Sequence, residues 1–197
     1  MHAIADRVKA LFAVGIVLTE SVVFSAVETV TSTLPVDCST ARIVPSGYDG
    51  YVAIDCAGLD AIPEPAGAPQ LLTEVLCVDA PKGAKFLRAT YEADWVTLGE
   101  NVKLVPIQPL IISEEPPKEI PFAEPNPALY ASYPESPIAA FGIQRMAGKA
   151  FVPVRVIPFR YTNGKLEAAK RFVVKVEFDV PPPRVKTMSS PAHEIPA

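Results

Sequence analysis

The residues of this sequence that are best suited to nucleophilic or metal-binding chemistry are its three cysteines, Cys38, Cys56 and Cys77. A cysteine nucleophile needs an imidazole close by to accept its proton. The chain has only two histidines, His2 and His193, and they stand near its two ends. Zinc sites in proteins use pairs of ligands at short spacing, and these cysteines are too widely separated to form such a pair. We therefore expect neither a cysteine-based catalytic site nor a metal site.

Other catalytic motifs are also missing from the sequence. It contains no G-x-G-x-x-G fingerprint, no phosphate-binding loop and no G-x-S-x-G element. Neighbouring carboxylates do occur, for example at Glu114 and Glu115, but they stand beside prolines in predicted loops, where solvated charge is the ordinary explanation. The sequence therefore predicts a protein that is not an enzyme and that needs no cofactor.

Two of the cysteines flank a predicted β-hairpin. Its strands are the segments 40–45 and 51–57, with turn-forming residues between them. A Cys38–Cys56 disulfide is one interpretation for a secreted protein, and burial of both as small apolar side chains is the alternative. Cys77 lies within the apolar run LLTEVLCVDA and is predicted to be a core residue.

Composition limits the remaining classes. The 197 residues include 49% hydrophobic residues, enough for one domain with a core. The 22 prolines argue against an α-helical fold and for strands joined by extended loops. A net charge of −4 gives no indication of nucleic-acid binding, and no polybasic segment predicts membrane attachment.

The N-terminus has the pattern of an export signal, which we assign to residues 1–26. Arg7 and Lys9 precede the apolar run ALFAVGIVL, and the small residues Ser25 and Ala26 offer a cleavage neighbourhood. A short buried helix is the alternative, and Glu20 argues against a membrane span. We therefore expect a secreted or periplasmic protein without membrane attachment after signal removal, in which residues 27–39 form an N-terminal leader.

Residues 40–180 are predicted to form an all-β domain, a β-sandwich of antiparallel strands. Short apolar segments alternate with turn residues about every ten positions, which is typical of sandwiches and barrels. Further strands are predicted at 71–79, 84–92, 94–98 and 102–107. The last strands, 149–161 and 165–180, are expected to pair as a hairpin around Asn163 and Gly164.

Prolines mark the remaining segments. Pro153 and Pro158 lack the amide hydrogen of a sheet ladder, so the first strand of the last hairpin is predicted to be an edge strand or bulged. The segment 106–137 carries nine prolines among apolar residues, and we interpret it as a strap across the sandwich surface rather than a solvated linker. Residues 181–197 are expected to be a disordered tail.

Six segments in order carry a resemblance to a known family. They are 67–72 (GAPQLL), 78–84 (VDAPKGA), 130–135 (YASYPE), 142–145 (GIQR), 158–163 (PFRYTN) and 176–178 (VEF). In their order and spacing, which cover roughly residues 40 to 180, they resemble the propeptide domain of gingipain-type cysteine peptidases.

The resemblance implies a prodomain that assists folding of a gingipain-like cysteine peptidase and keeps it latent. Because the catalytic domain is not part of this sequence, the partner would act in trans or belong to a longer precursor. Arg145, Lys149 and Tyr133 are the implied inhibitory contacts, the two basic residues as occupants of a specificity pocket. An ordinary surface charge is the alternative for Arg145, and a secreted β-sandwich binding or adhesion module is the alternative for the whole protein.

Overall fold

The computed structural model of this protein describes residues 25–62, 65–109 and 121–182. The predicted signal peptide lies outside these ranges except for Ser25 and Ala26, and the predicted tail lies outside them after Pro182. In the described ranges, no helix has the length and apolar character needed to cross a membrane.

Nearly all of the regular structure is β-strand. The strands, in chain order, are β1 (Ala26–Thr33), β2 (Arg42–Pro45), β3 (Val52–Asp55), β4 (Asp60–Ala61), β5 (Leu72–Asp79), β6 (Lys85–Gly99), β7 (Ile138–Ala140), β8 (Gln144–Met146), β9 (Lys149–Val156), β10 (Phe159–Thr162) and β11 (Lys165–Val180). A 3-10 helix at Cys38–Thr40 and a short α-helix, α1 (Pro127–Ala131), complete the elements of the described ranges. The predicted all-β fold class is confirmed.

The first sheet is built around β11, which is 16 residues long. Strand β6 pairs with one edge of β11 over nearly its whole length, from Gly99 opposite Leu166 to Lys85 opposite Asp179. The other edge of β11 is shared by β10 at one end and β1 at the other, where Ala26 pairs with Val180. Residues 27–39, assigned from sequence to a leader, thus supply β1 apart from Ala26 and the 3-10 helix apart from Thr40.

The second sheet is built around β9. Strand β5 pairs with one edge of β9, while β7 and β8 follow one another along its other edge. Strand β4 extends the sheet beyond β5. The hairpin of β2 and β3 forms a separate two-stranded sheet, which joins the body through a bridge between Val52 and Leu104.

The two large sheets pack face to face through alternate residues. The inward side chains of β9 are Val152, Val154 and Val156, and those of β11 include Phe172, Val174, Val176 and Phe178; all are fully buried. The period of two follows from the strand geometry, which sends successive side chains to opposite faces. One continuous hydrophobic core results, and the β-sandwich architecture agrees with the prediction.

The predicted hairpin of 149–161 with 165–180 is only partly correct. The turn is present, with positive φ values of 47° at Asn163 and 85° at Gly164. However, only β10 pairs with β11, whereas β9 belongs to the second sheet. The chain changes sheets at Ile157 and Pro158, where proline cannot continue a ladder.

The prediction that the proline-containing strand lies at an edge is wrong, because β9 is the centre of the second sheet. The carbonyl of Pro153 accepts a hydrogen bond from the amide of Phe141, 3.1 Å away. In a strand the N–H and C=O of one residue point to the same edge, so the nitrogen of Pro153 faces the gap between β7 and β8. Among the strands of the described ranges, none pairs with β9 at that position on that edge. The missing amide hydrogen therefore interrupts no ladder.

The prediction that Cys77 belongs to the core is also wrong. Cys77 alternates with the buried residues Leu76 and Val78 and is exposed on the outer face of the second sheet. The apolar run around it gave no alternation to indicate which side chains point inward.

Candidate partner-binding surfaces

Strands β8 and β9 form a hairpin that carries both basic residues implied as peptidase contacts. Met146 pairs with Lys149, and the turn residues Ala147 and Gly148 have φ values of 50° and 80°. Positive φ at both turn positions is the conformation that matches the twist of the flanking strands. The side chain of Met146 is 69% exposed next to this turn. The hairpin therefore presents its tip to solvent in a defined backbone conformation.

The hairpin does not bring Arg145 and Lys149 together. Arg145 pairs with Ala150, whereas Lys149 pairs with Met146, so strand alternation places the two basic side chains on opposite faces. Arg145 lines a groove of about 430 Å³ between the hairpin and the turn at 81–83. Lys149 lies on the face that continues the outer surface of the second sheet. A single narrow pocket would therefore take one of these side chains and not both.

The outer face of the second sheet is apolar at several exposed positions. We define this outer face by Val75, Cys77, Phe141, Met146, Phe151, Pro153 and Arg155. Val75 is 49% exposed and Phe141 is 56% exposed. A cluster of exposed apolar side chains on one face is typical of a protein-binding surface.

Arg155 lies within this outer face without a hydrogen-bond partner for its buried Nε atom in the described part of the chain. Its cross-strand neighbours are Val75 on β5 and Ala139 on β7. Leaving a buried donor unsatisfied costs stability. A carboxylate on a bound partner would form a charge-assisted hydrogen bond with this guanidinium. Arg155 was not among the residues predicted from sequence, although its alternation with the buried valines of β9 indicates the outer face.

Tyr133 lies close to Arg155 rather than at the hairpin tip. Its backbone bridges to Tyr161, with the two N–H···O hydrogen bonds at 2.9 and 2.8 Å. Burial raises the pKa of the Tyr133 hydroxyl, and the positive charge of Arg155 opposes that increase. The structure therefore places Tyr133 in the body of the fold, away from the two basic residues with which it was grouped.

The strap predicted at 106–137 is described except for residues 110–120, and its described parts are packed on the body. The side chain of Gln108 accepts a hydrogen bond from the Ala123 amide at 2.9 Å and donates one to the Pro106 carbonyl at 2.9 Å. The Tyr130 hydroxyl donates to the Leu104 carbonyl at 2.5 Å. Gln108 and Ala123, which stand on either side of the undescribed segment, therefore lie next to each other.

The hairpin and the strap lie at opposite ends of the sandwich. Strand β5 connects the two regions: before its start, Gln70 donates to the carbonyl of Val105 beside the strap, and after its end, Ala80 donates to the carbonyl of Ala150 on the hairpin. The strand has 8 residues, so its ends are separated by about 25 Å. These two regions are therefore independent candidates for a partner contact.

Comparison with known proteins identifies the fold. No family model matches the chain, and no curated protein matches it. Among solved structures, it is similar to the complex of Porphyromonas gingivalis RgpB pro- and mature domains, with 14% identity and a TM-score of 0.60 over 82% of this chain and 86% of that chain. It is also similar to gingipain K from Porphyromonas gingivalis, in a structure concerned with zymogenic latency, with 18% identity and a TM-score of 0.53 over 79% of this chain and 98% of that chain. The chain therefore has a gingipain-propeptide-like fold.

Proposed function

We propose that this protein is a prodomain-like chain that binds a gingipain-like cysteine peptidase, assists its folding and keeps it latent. The observation that carries the proposal is the similarity of the fold to the two gingipain structures, which extends over most of each chain compared. The proposed partner is a catalytic domain supplied in trans or by a longer precursor. The protein itself acts by binding and not by catalysis, and the proposed compartment is extracellular or periplasmic.

The β8–β9 hairpin is the first proposed contact with the peptidase. An inhibitor must hold a segment in a substrate-like position without allowing productive cleavage, which requires a rigid support. The tight turn at Ala147 and Gly148 and the pairing of β8 with the central strand β9 supply that support. Arg145 or Lys149 then occupies the specificity pocket of the peptidase.

The outer face of the second sheet favours a further contact area in the same complex. Lys149 and Met146 lie at one end of this face, and Arg155, whose Nε has no partner among the described residues, lies nearer its other end. A hairpin seated in a cleft would bring the adjoining outer face close to the peptidase surface. Burial of Phe141 and Val75 would contribute apolar contact area.

The same outer face also supports a second candidate function. A secreted β-sandwich binding or adhesion module would use exposed apolar side chains such as Phe141 and Met146 for contact with another protein. That function needs no peptidase partner.

The deciding experiment measures inhibition and refolding of purified gingipain-type catalytic domains, one selective for arginine and one for lysine. We expect the intact chain to inhibit at least one of them and to increase the yield of active enzyme after dilution from denaturant. A matched control is the Phe178→Ala variant, which is destabilised in the core and is expected to be a weaker inhibitor at temperatures where it unfolds. Full activity of both peptidases in the presence of folded wild-type chain would favour the binding-module function.

A further inference from the structure

The structure brings two cysteines together that stand apart in the sequence. Cys38 lies in the 3-10 helix before β2, and Cys56 follows directly after β3. Strands β2 and β3 pair with Arg42 opposite Asp55, so the two strand ends that lead to the cysteines are adjacent. The 3-10 turn folds Cys38 back over this end, with the Ala41 amide donating to the Cys38 carbonyl at 3.1 Å. Cys38 is a buried member of the hydrophobic core and Cys56 packs against the same cluster, where each thiol influences the pKa of the other.

We propose that Cys38 and Cys56 form an intramolecular disulfide when the protein meets a thiol oxidant, and that Cys77 takes no part in that bond. The inference rests on the geometry of this pair and is independent of the proposed partner. Cys77 lies on the outer face of the second sheet, opposite Pro153, and is not part of the cysteine pair.

The two thiols of the pair differ in access, which sets the order of the chemical steps. Cys38 is fully buried in the core. Cys56 is partly exposed and lines an open pocket of about 330 Å³ together with Asp37, Arg42 and Asp55. An oxidant entering from solvent therefore reaches Cys56 first.

The reaction is a thiol–disulfide exchange with a low-molecular-weight disulfide such as oxidised glutathione. The Cys56 thiolate attacks one sulfur of the reagent, which forms a mixed disulfide and releases one glutathione thiolate. Cys38 then loses its proton and attacks the Cys56 sulfur, which forms the Cys38–Cys56 bond and expels the second glutathione. The two protein thiols are oxidised by two electrons, and the reagent is reduced to two thiols.

The pKa directions agree with this order. Burial raises the pKa of the Cys38 thiol to about 12, so Cys38 is a poor first nucleophile. Burial also raises the pKa of Cys56, but the hydrogen bond from Cys38 opposes that increase. The thiol that is more accessible is thus also the one whose thiolate is stabilised by its neighbour.

The disulfide would link the segment that joins β1 to the β2–β3 hairpin with the far end of that hairpin. Strand β1 pairs with β11 on one edge, and the chain leaves it through Leu34 and the 3-10 helix to reach the β2–β3 hairpin. A Cys38–Cys56 bond closes a loop that contains this whole hairpin and removes conformational freedom from the unfolded chain. The oxidised protein is therefore expected to resist unfolding better than the reduced protein.

The test counts free thiols on the full chain after reduction and after incubation with oxidised glutathione. Denatured protein is alkylated with a maleimide and its intact mass is measured. We expect three maleimides on the reduced wild type; on the oxidised wild type Cys38 and Cys56 should carry none, and the exposed Cys77 should carry either one maleimide or one glutathione. Cys77→Ser is the matched control and should carry neither maleimide nor glutathione after oxidation, whereas Cys38→Ala and Cys56→Ala should form no internal disulfide, so that each of their remaining cysteines carries a maleimide or a glutathione.

Peptide mapping and denaturant titration complete the test. A linked peptide pair containing residues 38 and 56, and a urea midpoint that is higher for oxidised than for reduced Cys77→Ser protein, would support the proposal. Three alkylated cysteines in oxidised wild type, glutathione retained on Cys56, or a linkage through Cys77 would overturn it. Because Cys38→Ala removes a buried side chain, Cys56→Ala and the wild-type mass keep the result decisive even if that variant folds poorly.

Discussion

Arg145 and Lys149 lie on opposite faces of one hairpin, because Arg145 pairs with Ala150 and Lys149 pairs with Met146. Arg145 faces the groove beside the turn at 81–83, and Lys149 continues the outer face of the second sheet. Only one of the two can enter a deep specificity pocket in a given pose. Arg145 and Lys149 are therefore alternative occupants of the pocket, and substituting each one separately shows which of them is used.

The first prediction follows from this arrangement. If the hairpin occupies the pocket, either Arg145→Ala or Lys149→Ala should weaken inhibition by about tenfold or more, since charge-assisted hydrogen bonds to charged groups contribute about 1.5–3 kcal/mol. The other substitution should have a much smaller effect. Inhibition constants for the two variants give the answer, with Lys170→Ala on β11 as a basic-residue control outside the hairpin. Equal and small effects of all three would exclude the hairpin as the contact.

The second prediction concerns the strap, which lies at the other end of the sandwich. Gln108 and Ala123 are hydrogen bonded, so residues 110–120 can be replaced by a short Gly-Ser linker without moving the described ends. If the strap contacts the peptidase, this excision should abolish inhibition, whereas the Arg145→Ala and Lys149→Ala variants should still inhibit. Lys118→Ala, which removes the only basic residue of the 106–137 segment, is the matching point substitution. Unchanged inhibition after excision would leave the hairpin and the outer face of the second sheet as the remaining candidates.

A third prediction tests the outer face through Arg155. Its Nε has no partner in the described chain, so Arg155→Met should leave the stability of the free protein unchanged or slightly increased. If a partner carboxylate satisfies the guanidinium, the same substitution should weaken the complex by about 1.5–3 kcal/mol. The two quantities are measured separately, by urea unfolding and by inhibition. A variant that loses stability but binds normally would show that Arg155 serves the fold alone.

Much of this fold was predictable from local sequence patterns, and the predictions that were wrong share one physical cause. The alternation of Phe172, Val174, Val176 and Phe178 with polar residues correctly identified the core face of β11. The Asn163-Gly164 turn was also correct, because positive φ at two successive positions has a strong residue preference.

What the sequence could not provide was the choice of partner strand. Whether β9 pairs with β11 or with β5 depends on contacts between segments far apart in the chain, for which a single sequence carries no local signal. The same limit applies to the candidate surfaces. Alternation on β9 indicates the face on which Arg155 lies, but its apolar neighbours on β5 and β7 follow from sheet topology. The separation of the hairpin from the strap follows from the topology as well. The Cys38–Cys56 disulfide stays a prediction, and the sequence offered it because hairpin geometry is local.

The fourth prediction tests the sandwich core. Phe178 on β11 is fully buried, and Phe178→Ala should lower the free energy of unfolding by about 3–5 kcal/mol through lost burial and the cavity that remains. Val27→Ala on the neighbouring strand β1 is the control, because Val27 is 64% exposed. We expect that variant to change stability by less than about 0.5 kcal/mol. Urea titration followed by far-ultraviolet dichroism measures both, and a similar loss in the two variants would contradict the assigned core.

The last prediction concerns alkaline pH. Burial raises the pKa of the Tyr130 hydroxyl, which donates to the Leu104 carbonyl, and burial also raises the pKa of Tyr161, which donates to the Val102 carbonyl. A group whose folded pKa lies above its unfolded value contributes fully below the unfolded pKa, here 10.0, and loses that contribution as pH rises toward the folded value. Stability should therefore fall above about pH 10, where tyrosine ionises in the unfolded chain.

Tyr130→Phe should lower the free energy of unfolding by about 0.5–1.5 kcal/mol near neutral pH, because it removes the hydrogen bond. The same variant should show a shallower decline in urea midpoint at alkaline pH. Tyr48→Phe, at a ring that is 45% exposed, serves as the control, and an identical alkaline decline in wild type and Tyr130→Phe would show that this hydroxyl does not govern the transition.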